Sequence, residues 1–170
     1  PEAIKLAPII KLLNTKYYKQ KYKFAVCVTA QHRELLDQVL TVFEIEPDYD
    51  LDLMTKQQNL SGLSARILNS LTEVINKYSP DMVMVHGDTT TSFIAALASF
   101  YAGCKIVHIE AGLRTFNINS PFPEELNRQI VSKVTKFHFA PTENAKKNLL
   151  SEKTHEKNIF VTGNTVIDSL

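Results

Sequence analysis

The sequence predicts a doubly wound α/β fold, in which helices cover both faces of a parallel β-sheet. Short, continuous apolar segments rich in β-branched residues recur along the chain, as expected for strands that are buried on both faces. Longer stretches with apolar residues at helical spacing lie between them. This alternation is typical of parallel sheets with crossover helices, so we expect a Rossmann-like architecture.

The individual elements follow from the same two patterns. Helices are predicted over residues 3–13, 34–43, 60–78, 90–101, 123–134, 143–150 and from 165 to 170. Strands are predicted over residues 24–29, 49–54, 81–86, 105–109, 137–140 and 159–162. Gly103 is placed to end the helix 90–101, and Pro123 to open the helix that it begins. No repeat or internal linker is visible, so residues 1–170 are predicted to form one domain.

Composition argues against a polyanionic partner. The formal net charge is +1, which favours neither a nucleic-acid groove nor an anionic membrane surface. Tyrosines alternate with lysines between residues 16 and 23; an RNA-binding patch would look similar, but such runs are usually solvated helix ends or loops. Cys27 and Cys104 lie in apolar runs, and the sequence has neither a signal peptide nor a run of transmembrane length. We therefore expect a cytoplasmic protein with two buried thiols.

Three predicted strands run directly into polar clusters, and this is where chemistry is expected. The clusters begin at Thr29, His86 and Glu110. In open parallel sheets, ligands bind outside the carboxyl ends of the strands. We therefore expect all three clusters at one edge of the sheet.

Asp88 and Glu110 are the first candidates for acid–base chemistry. Asp88 is placed to cap the helix that begins at Thr90, yet Gly87 also allows a sharp turn beside a helix N-terminus, which attracts phosphate. Glu110 ends an apolar strand, and it either forms a buried ion pair with Arg114 or acts as an acid or base. The structural and the catalytic interpretation both stay open for each carboxylate.

Glu124 and Arg128 form a further candidate pair. They lie four residues apart, so on a helix they share a face, where a simple salt bridge is the alternative to a catalytic role. Glu124 and Glu125 also suit the positive end of the helix dipole. Carboxylates that converge on one cleft are nevertheless the expected layout for a two-step proton transfer.

The remaining signals are weak or missing. His108 and His138 lie in predicted strands and are interpreted as core residues, and His155 as a solvent-facing residue of a charged loop. The sequence has no G-x-G-x-x-G fingerprint, Walker A motif, zinc-ligand spacing or G-x-S-x-G nucleophile elbow. We therefore expect acid–base chemistry with no metal and no cofactor.

Seven short motifs, each weak alone, occur in order along the whole chain. They are Pro1-Glu2-Ala3-Ile4-Lys5, Thr29-Ala30-Gln31-His32-Arg33, Val85-His86-Gly87-Asp88-Thr89-Thr90-Thr91, His108-Ile109-Glu110-Ala111-Gly112-Leu113-Arg114-Thr115, Ser120-Pro121-Phe122-Pro123-Glu124-Glu125 with Asn127-Arg128, Phe139-Ala140-Pro141-Thr142, and Thr162-Gly163-Asn164-Thr165. As a set they resemble the non-hydrolysing UDP-N-acetylglucosamine 2-epimerases.

The resemblance implies one half of a larger enzyme. The family folds as two Rossmann-like domains of the GT-B type with the active site between them, and this chain is similar to the first. The family's opening strand is expected before Pro1, and a second domain with the uridine contacts and a catalytic histidine after Leu170. Members are usually homodimers. We expect the 170 residues alone to turn over almost no substrate, and measurable epimerisation by them would contradict this.

The implied reaction interconverts UDP-N-acetylglucosamine and UDP-N-acetylmannosamine without a redox cofactor. A base removes the C2 proton, UDP leaves as an anion to give 2-acetamidoglucal, and UDP adds back after reprotonation on the other face of C2. Motif matching makes Asp88, Glu110 and Glu124 the acid–base candidates. The product is expected to supply cell-surface polysaccharide.

The same matching predicts the groups that bind the substrate. Lys5 and Arg128 are expected to position it and to stabilise the charge on the departing UDP. Arg114 and His86 stand in two of the same motifs and are predicted to contact the substrate as well.

Many bacterial members are also activated by substrate at a neighbouring site. Gln31, His32 and Arg33 match part of that site, which makes them candidate allosteric residues. The chain has Glu34 where a Gln is common and Gln57 where an Arg is common. Loss of an Arg removes a bidentate diphosphate contact, so these departures argue against allosteric activation.

Three other functions compete with this interpretation. A hydrolysing 2-epimerase would release N-acetylmannosamine and UDP, a GT-B glycosyltransferase domain would transfer the sugar, and a non-catalytic module would bind the nucleotide sugar without turnover. The segments 88–91 and 121–125 favour the non-hydrolysing type. Acceptor sites of transferases are usually more apolar than three carboxylates at strand ends.

Overall fold

The structure, a computed structural model, describes residues 2–30, 33–53 and 59–169. It divides into two compact units, which we describe separately. One is built from Pro1–Asn59 and Asn164–Leu170, and the other is Leu60–Gly163. The strands pair in parallel in both units, which confirms the predicted α/β class.

The first unit holds two short strands among its helices. Its elements are α1 (Glu2–Leu13), α2 (Lys16–Lys19), β1 (Cys27–Val28), α3 (Arg33–Val42), β2 (Tyr49–Asp50) and a 3₁₀ turn (Ile167–Ser169). The strand predicted at 24–29 is shorter than expected, because only Cys27 and Val28 pair with β2, and both are half-buried. The strand predicted at 49–54 ends at Asp50, and its remainder reaches residues outside the described part of the chain.

A proline inside α1 leaves a backbone carbonyl without its helical hydrogen bond, and a side chain near residue 170 donates to that carbonyl instead. Pro8 has no backbone N–H to donate to the carbonyl of Ile4, four residues earlier. The Ser169 hydroxyl donates to that carbonyl at 2.8 Å, and the Thr165 hydroxyl donates to the carbonyl of Lys5 at 2.6 Å. These bonds hold the 3₁₀ turn in place of the helix predicted from residue 165.

The second unit contains a four-stranded parallel sheet. Its elements are α4 (Leu60–Tyr78), β3 (Met82–His86), α5 (Thr90–Tyr101), β4 (Lys105–Ile109), α6 (Glu124–Val134), β5 (Phe137–Ala140), α7 (Glu143–Ser151), a 3₁₀ turn (Glu156–Asn158) and β6 (Ile159–Val161). The strand order is β3-β4-β5-β6. The bounds of these helices and strands agree with the predictions to within one residue.

Apolar side chains join the helices of this unit to its sheet. One buried cluster consists of Val85, Ala96, Ile106 and Val131, and another of Ala111, Ala140, Ala145, Leu149 and Ile159. The first cluster fixes α5 and α6 against β3 and β4, and the second fixes α7 against β5 and β6. Among the described residues, no helix is both long and apolar enough to cross a membrane.

Gly112 allows α7 to approach the segment that follows β4. Its φ is +90°, and a Cβ built on it would lie 2.3 Å from the backbone oxygen of Ala145. The Asn148 side-chain amide donates to the Gly112 carbonyl at 2.9 Å. This contact leaves no room for a side chain, so position 112 requires glycine for both space and conformation.

We predict that Gly112→Ala destabilises the protein far more than Gly103→Ala. Both glycines have positive φ, but a Cβ on Gly103 would meet nothing within 4 Å. Gly103→Ala should cost about 1 kcal/mol for the left-handed backbone alone, and Gly112→Ala about 3 kcal/mol or more because α7 must also move. Urea unfolding of both variants measures the difference, and equal losses would contradict the close approach.

Candidate active site

A turn at the end of β3 presents Asp88. Gly87 adopts φ +66°, and its N–H donates to the Ile109 carbonyl at 2.9 Å, which extends the pairing of β3 with β4 by one residue. Thr89 caps α5, because its side chain accepts a hydrogen bond from the Ser92 N–H at 3.2 Å. The N-cap of α5 is therefore Thr89, which the sequence offered beside Asp88 and Thr90.

The Asp88 carboxylate pairs with an arginine from α6. Arg128 Nη2 lies 2.9 Å from Asp88 Oδ2, and the arginine side chain is 12% exposed. The side-chain amide of Asn127 also donates to the Asp88 carbonyl at 2.8 Å. Helix α6 thus holds Asp88 through both its backbone and its side chain.

Glu110 lies next to this turn in a conformation that is rare for a residue with a side chain. Its φ is +65°, a left-handed value that persists only where the surroundings enforce it. Glu110 Oε2 lies 3.8 Å from His86 Nε2 and would lie 3.7 Å from a Cβ on Gly87. A Cβ on Gly87 would therefore meet the Glu110 carboxylate only at ordinary van der Waals distance, which places Glu110 next to the turn that carries Asp88.

Glu124 is the first residue of α6 and is half-buried. Arg128 Nε donates to the Glu124 backbone carbonyl at 3.4 Å, whereas its Nη2 forms an ion pair with the Asp88 carboxylate. The i,i+4 salt bridge that the spacing allowed is not formed between these described residues. The Glu124 carboxylate lies at the positive end of the α6 dipole, one helical turn before Arg128.

Arg114 does not have the role predicted for it. Its side chain is fully buried and forms four hydrogen bonds, two of them to Glu152 at 2.6 and 3.0 Å and the others to Ser132 and the Leu113 carbonyl. The ion pair that we considered between Glu110 and Arg114 is therefore replaced by a pair with Glu152. Since its guanidinium is enclosed in the protein, we correct the prediction that Arg114 contacts substrate.

His86 lies next to Glu110 and is almost completely buried. Its side chain is only 3% exposed, and it lies behind the Glu110 carboxylate. A residue so placed offers little surface to a ligand from within this chain, and the predicted substrate contact of His86 stays a prediction.

The other predicted binding residues belong to the first unit. Lys5 lies on α1. Arg33 opens α3, and its guanidinium contacts Asp37 at 3.1 Å, Asp50 at 2.6 Å and Asp52 at 3.7 Å. The hydrogen bond with Asp50 raises the pKa of Arg33. Three carboxylates around one guanidinium would compete with a bound diphosphate, and the allosteric role of Arg33 stays a prediction.

The two remaining allosteric candidates, Gln31 and His32, lie outside the described residues, as does Gln57.

Glu125 is the residue that the sequence reasoning missed. It is 0% exposed and accepts hydrogen bonds from the Thr115 and Phe116 N–H groups at 3.0 and 3.1 Å and from the Gln129 side chain at 2.8 Å. Burial opposes its ionisation, but these donors and Arg128 together lower the pKa of the Glu125 carboxyl. The signal in the sequence was its i,i+3 and i,i+4 spacing to Arg128 and Gln129.

Two buried histidines lie face to face across β4 and β5. His108 and His138 are paired in register and are 0% and 1% exposed, which confirms them as core residues; His155 is exposed, as predicted. Burial lowers the pKa of His108 to about 3 and that of His138 to about 4. His108 Nε2 lies 2.7 Å from the Gly87 carbonyl, so the neutral ring donates to the turn that presents Asp88.

No group of three or more His, Cys, Asp and Glu side chains is placed to hold a metal ion within residues 2–30, 33–53 and 59–169.

The fold and the cluster define a Rossmann-like α/β domain with carboxylates and a cation beyond the carboxyl ends of its parallel strands. Such a site is suited to proton transfer next to an anionic ligand. Residues 16–170 match the family model described as UDP-N-acetylglucosamine 2-epimerase. The chain belongs to this family.

Individual relatives agree with the family model. The chain is 58% identical to a UDP-N-acetylglucosamine 2-epimerase of Salmonella borreze and 55% identical to one of Neisseria meningitidis, in both cases over its whole length. It covers 44% and 45% of these relatives, so it spans less than half of their length.

Solved structures extend the comparison to the fold. The N. meningitidis enzyme bound to UDP-GlcNAc has a TM-score of 0.91 at 53% identity, covering 99% of this chain and 45% of that one. The Methanocaldococcus jannaschii enzyme in complex with UDP-GlcNAc and UDP also has a TM-score of 0.91, at 35% identity and the same coverage. The predicted Rossmann-like fold is therefore confirmed.

We predict that His108 makes stability depend on pH between about 3 and 6.5. The folded-state pKa of about 3 lies below the ordinary 6.5, so in this window the unfolded chain binds a proton that the folded chain does not. Stability is therefore complete above pH 6.5 and falls with decreasing pH, by about 1.4 kcal/mol per pH unit for each such histidine.

His108→Gln should reduce that slope, because glutamine retains a donor for Gly87 but does not titrate. Urea unfolding at pH 5.0, 5.5, 6.0 and 7.0 measures it. His155→Gln is the control, since His155 is exposed. An unchanged slope in His108→Gln would mean that His108 is not held neutral.

Proposed function

We propose that the full-length protein is a non-hydrolysing UDP-N-acetylglucosamine 2-epimerase. Family membership supports this proposal, as do the activity for which the relatives are named and the nucleotides bound in their structures. The observation that carries it is the pairing of Asp88 with Arg128 directly beside Glu110, at the ends of two adjacent parallel strands.

The reaction consists of an elimination and a re-addition. A carboxylate removes the proton from C2 of the sugar, the bond between C1 and the UDP oxygen breaks, and a double bond forms between C1 and C2. The intermediate is 2-acetamidoglucal, and UDP leaves with the electron pair of the broken bond. Protonation on the opposite face of C2 and addition of UDP to C1 complete the epimerisation, with no net oxidation or reduction.

Three carboxylates are proposed to move these protons. Asp88, Glu110 and Glu124 come from the β3 turn, the end of β4 and the start of α6. A base and an acid on different faces of one carbon must come from different directions, and these separate elements supply them. The rare backbone conformation of Glu110 supports its role, because such conformations cluster at functional sites.

Positive charge is proposed to stabilise the departing UDP. The Arg128 side chain remains 12% exposed although it pairs with Asp88, so it is not fully enclosed within this chain. Lys5 joins it in the proposal through its motif. Fixed cations near the oxygen that gains charge stabilise the transition state more than the ground state.

We also propose that the enzyme works in the cytoplasm. Cys27 and Cys104 are free thiols. Burial raises the pKa of Cys27 to about 11 and raises that of Cys104 as well. Both therefore stay protonated and unreactive at neutral pH, which suits a reducing compartment.

Proton NMR of UDP-N-acetylglucosamine with the full-length protein in deuterium oxide tests the activity. Loss of the C2 proton signal together with formation of UDP-N-acetylmannosamine is expected. Free N-acetylmannosamine would identify a hydrolysing enzyme instead. An unchanged spectrum would overturn the proposal in favour of a transferase or a binding module.

We predict that Asp88→Asn, Glu110→Gln and Glu124→Gln each lower turnover of the full-length enzyme about 10²- to 10⁴-fold, the usual range for a lost acid or base. Glu143→Gln is the matched control, because Glu143 lies in the first turn of α7, as Glu124 does in α6, and is exposed. The exchange rate at C2 measures all four. Near-normal rates in the three variants would mean that these carboxylates are structural ion-pair partners and not acids or bases of the reaction.

A further inference from the structure

Glu125 is a buried carboxylate that the proposed reaction does not use. It is 0% exposed, whereas its neighbour Glu124 is half-buried. Removing a charge from water is costly unless partners replace the lost hydration. The partners of Glu125 therefore indicate what its burial achieves.

Its two oxygens are used in different ways. Oε1 accepts from the Phe116 N–H at 3.1 Å and from the Gln129 side chain at 2.8 Å. Oε2 accepts from the Thr115 N–H at 3.0 Å and lies 3.5 Å from Arg128 Nε. One carboxylate thus fastens the segment after β4 to α6 and simultaneously touches the arginine of the site.

Arg128 is in this way held from two sides. Its Nε donates to the Glu124 backbone carbonyl at 3.4 Å and lies 3.5 Å from Glu125 Oε2, and its Nη2 lies 2.9 Å from Asp88 Oδ2. A guanidinium is planar, and its donors have a fixed relative geometry. Contacts at two separate nitrogens therefore fix both the position and the rotation of the cation.

The two contacts have different environments. Glu125 is fully enclosed, while the Asp88 side chain is 31% exposed. The enclosed partner provides a rigid support, and the exposed partner lies where a substrate can approach. The order Glu125–Arg128–Asp88 therefore runs from the core to the site.

We propose that Glu125 is a positioning residue, which acts through Arg128 to hold this cation against Asp88 and toward the departing UDP. The assignment rests on the proposed function. Catalysis by a fixed cation depends on its placement within fractions of an ångström. Loss of a supporting contact typically lowers activity about 10- to 100-fold, and a misplacement of about 1 Å lowers it about 10²-fold.

The test uses Glu125→Gln in the full-length enzyme. Glutamine retains the shape but brings an NH₂ group among four donors, so Arg128 loses its charged partner at Nε and keeps only the Glu124 carbonyl there. We expect kcat to fall about 10- to 100-fold with KM changed less than about threefold. Circular dichroism and the stoichiometry of UDP binding establish the folded fraction. A kcat within about threefold of the wild type would overturn the assignment.

Gln129→Met is the matched control for a merely structural role. It removes another hydrogen bond to the same carboxylate but leaves Arg128 in contact with it. A positioning role predicts near-normal kcat in Gln129→Met and a reduced kcat in Glu125→Gln. Equal losses in the two variants, in proportion to lost stability, would show that Glu125 only supports the fold.

A double-mutant cycle with Arg128→Ala separates this inference from the proposed function. If Glu125 acts through Arg128, adding Glu125→Gln to Arg128→Ala should lower kcat less than about threefold further. Additive losses would overturn the assignment. If the wild-type enzyme does not exchange the C2 proton, the proposed function is wrong and the positioning role is wrong with it. The same double-mutant cycle, measured by urea unfolding, then shows whether Glu125 and Arg128 are energetically coupled.

Discussion

The site depends on the parallel pairing of β3 and β4 through their last residues. The Gly87 N–H donates to the Ile109 carbonyl at 2.9 Å, one residue beyond the final strand pair. That bond brings the turn with Asp88 next to the residue that follows Ile109, which is Glu110. Because both strands run in the same direction, both end at the same edge of the sheet. Two carboxylates far apart in sequence therefore become neighbours without any direct attraction between them.

Arg114 and Arg128 show that arginine has a purely structural role at one position and contacts the proposed site at another. Arg114 is fully buried and makes four hydrogen bonds, chiefly to Glu152. Arg128 is 12% exposed and links Asp88 to the enclosed Glu125. A buried ion pair adds little net stability over apolar residues of equal volume, but it fixes geometry. The geometry that Arg114 fixes is internal, whereas the geometry that Arg128 fixes reaches the surface where the ligand is proposed to bind.

Much of this could be predicted from local pattern, and the rest could not for a physical reason. Helix Leu60–Tyr78 and strand Lys105–Ile109 were predicted at their observed bounds, because apolar periodicity and continuous apolar runs are properties of neighbouring residues. The partner of Arg114 is 38 residues away in sequence, and no local pattern encodes it. Glu124 and Glu125 are chemically identical neighbours. Only the rotation of α6, set by packing, leaves Glu124 half-buried and encloses Glu125 in the core.

The neutrality of His108 completes the electrostatics of the site. Its ring lies under the turn and reaches the Gly87 carbonyl at 2.7 Å. A protonated ring would donate equally well, but it would place a second cation near Asp88 and compete with Arg128 for that carboxylate. Burial lowers the pKa of His108 to about 3, so at neutral pH it supplies a donor without a charge. The cation beside Asp88 is then the one that Glu125 positions, and the backbone beneath it stays fixed independently of pH in the neutral range.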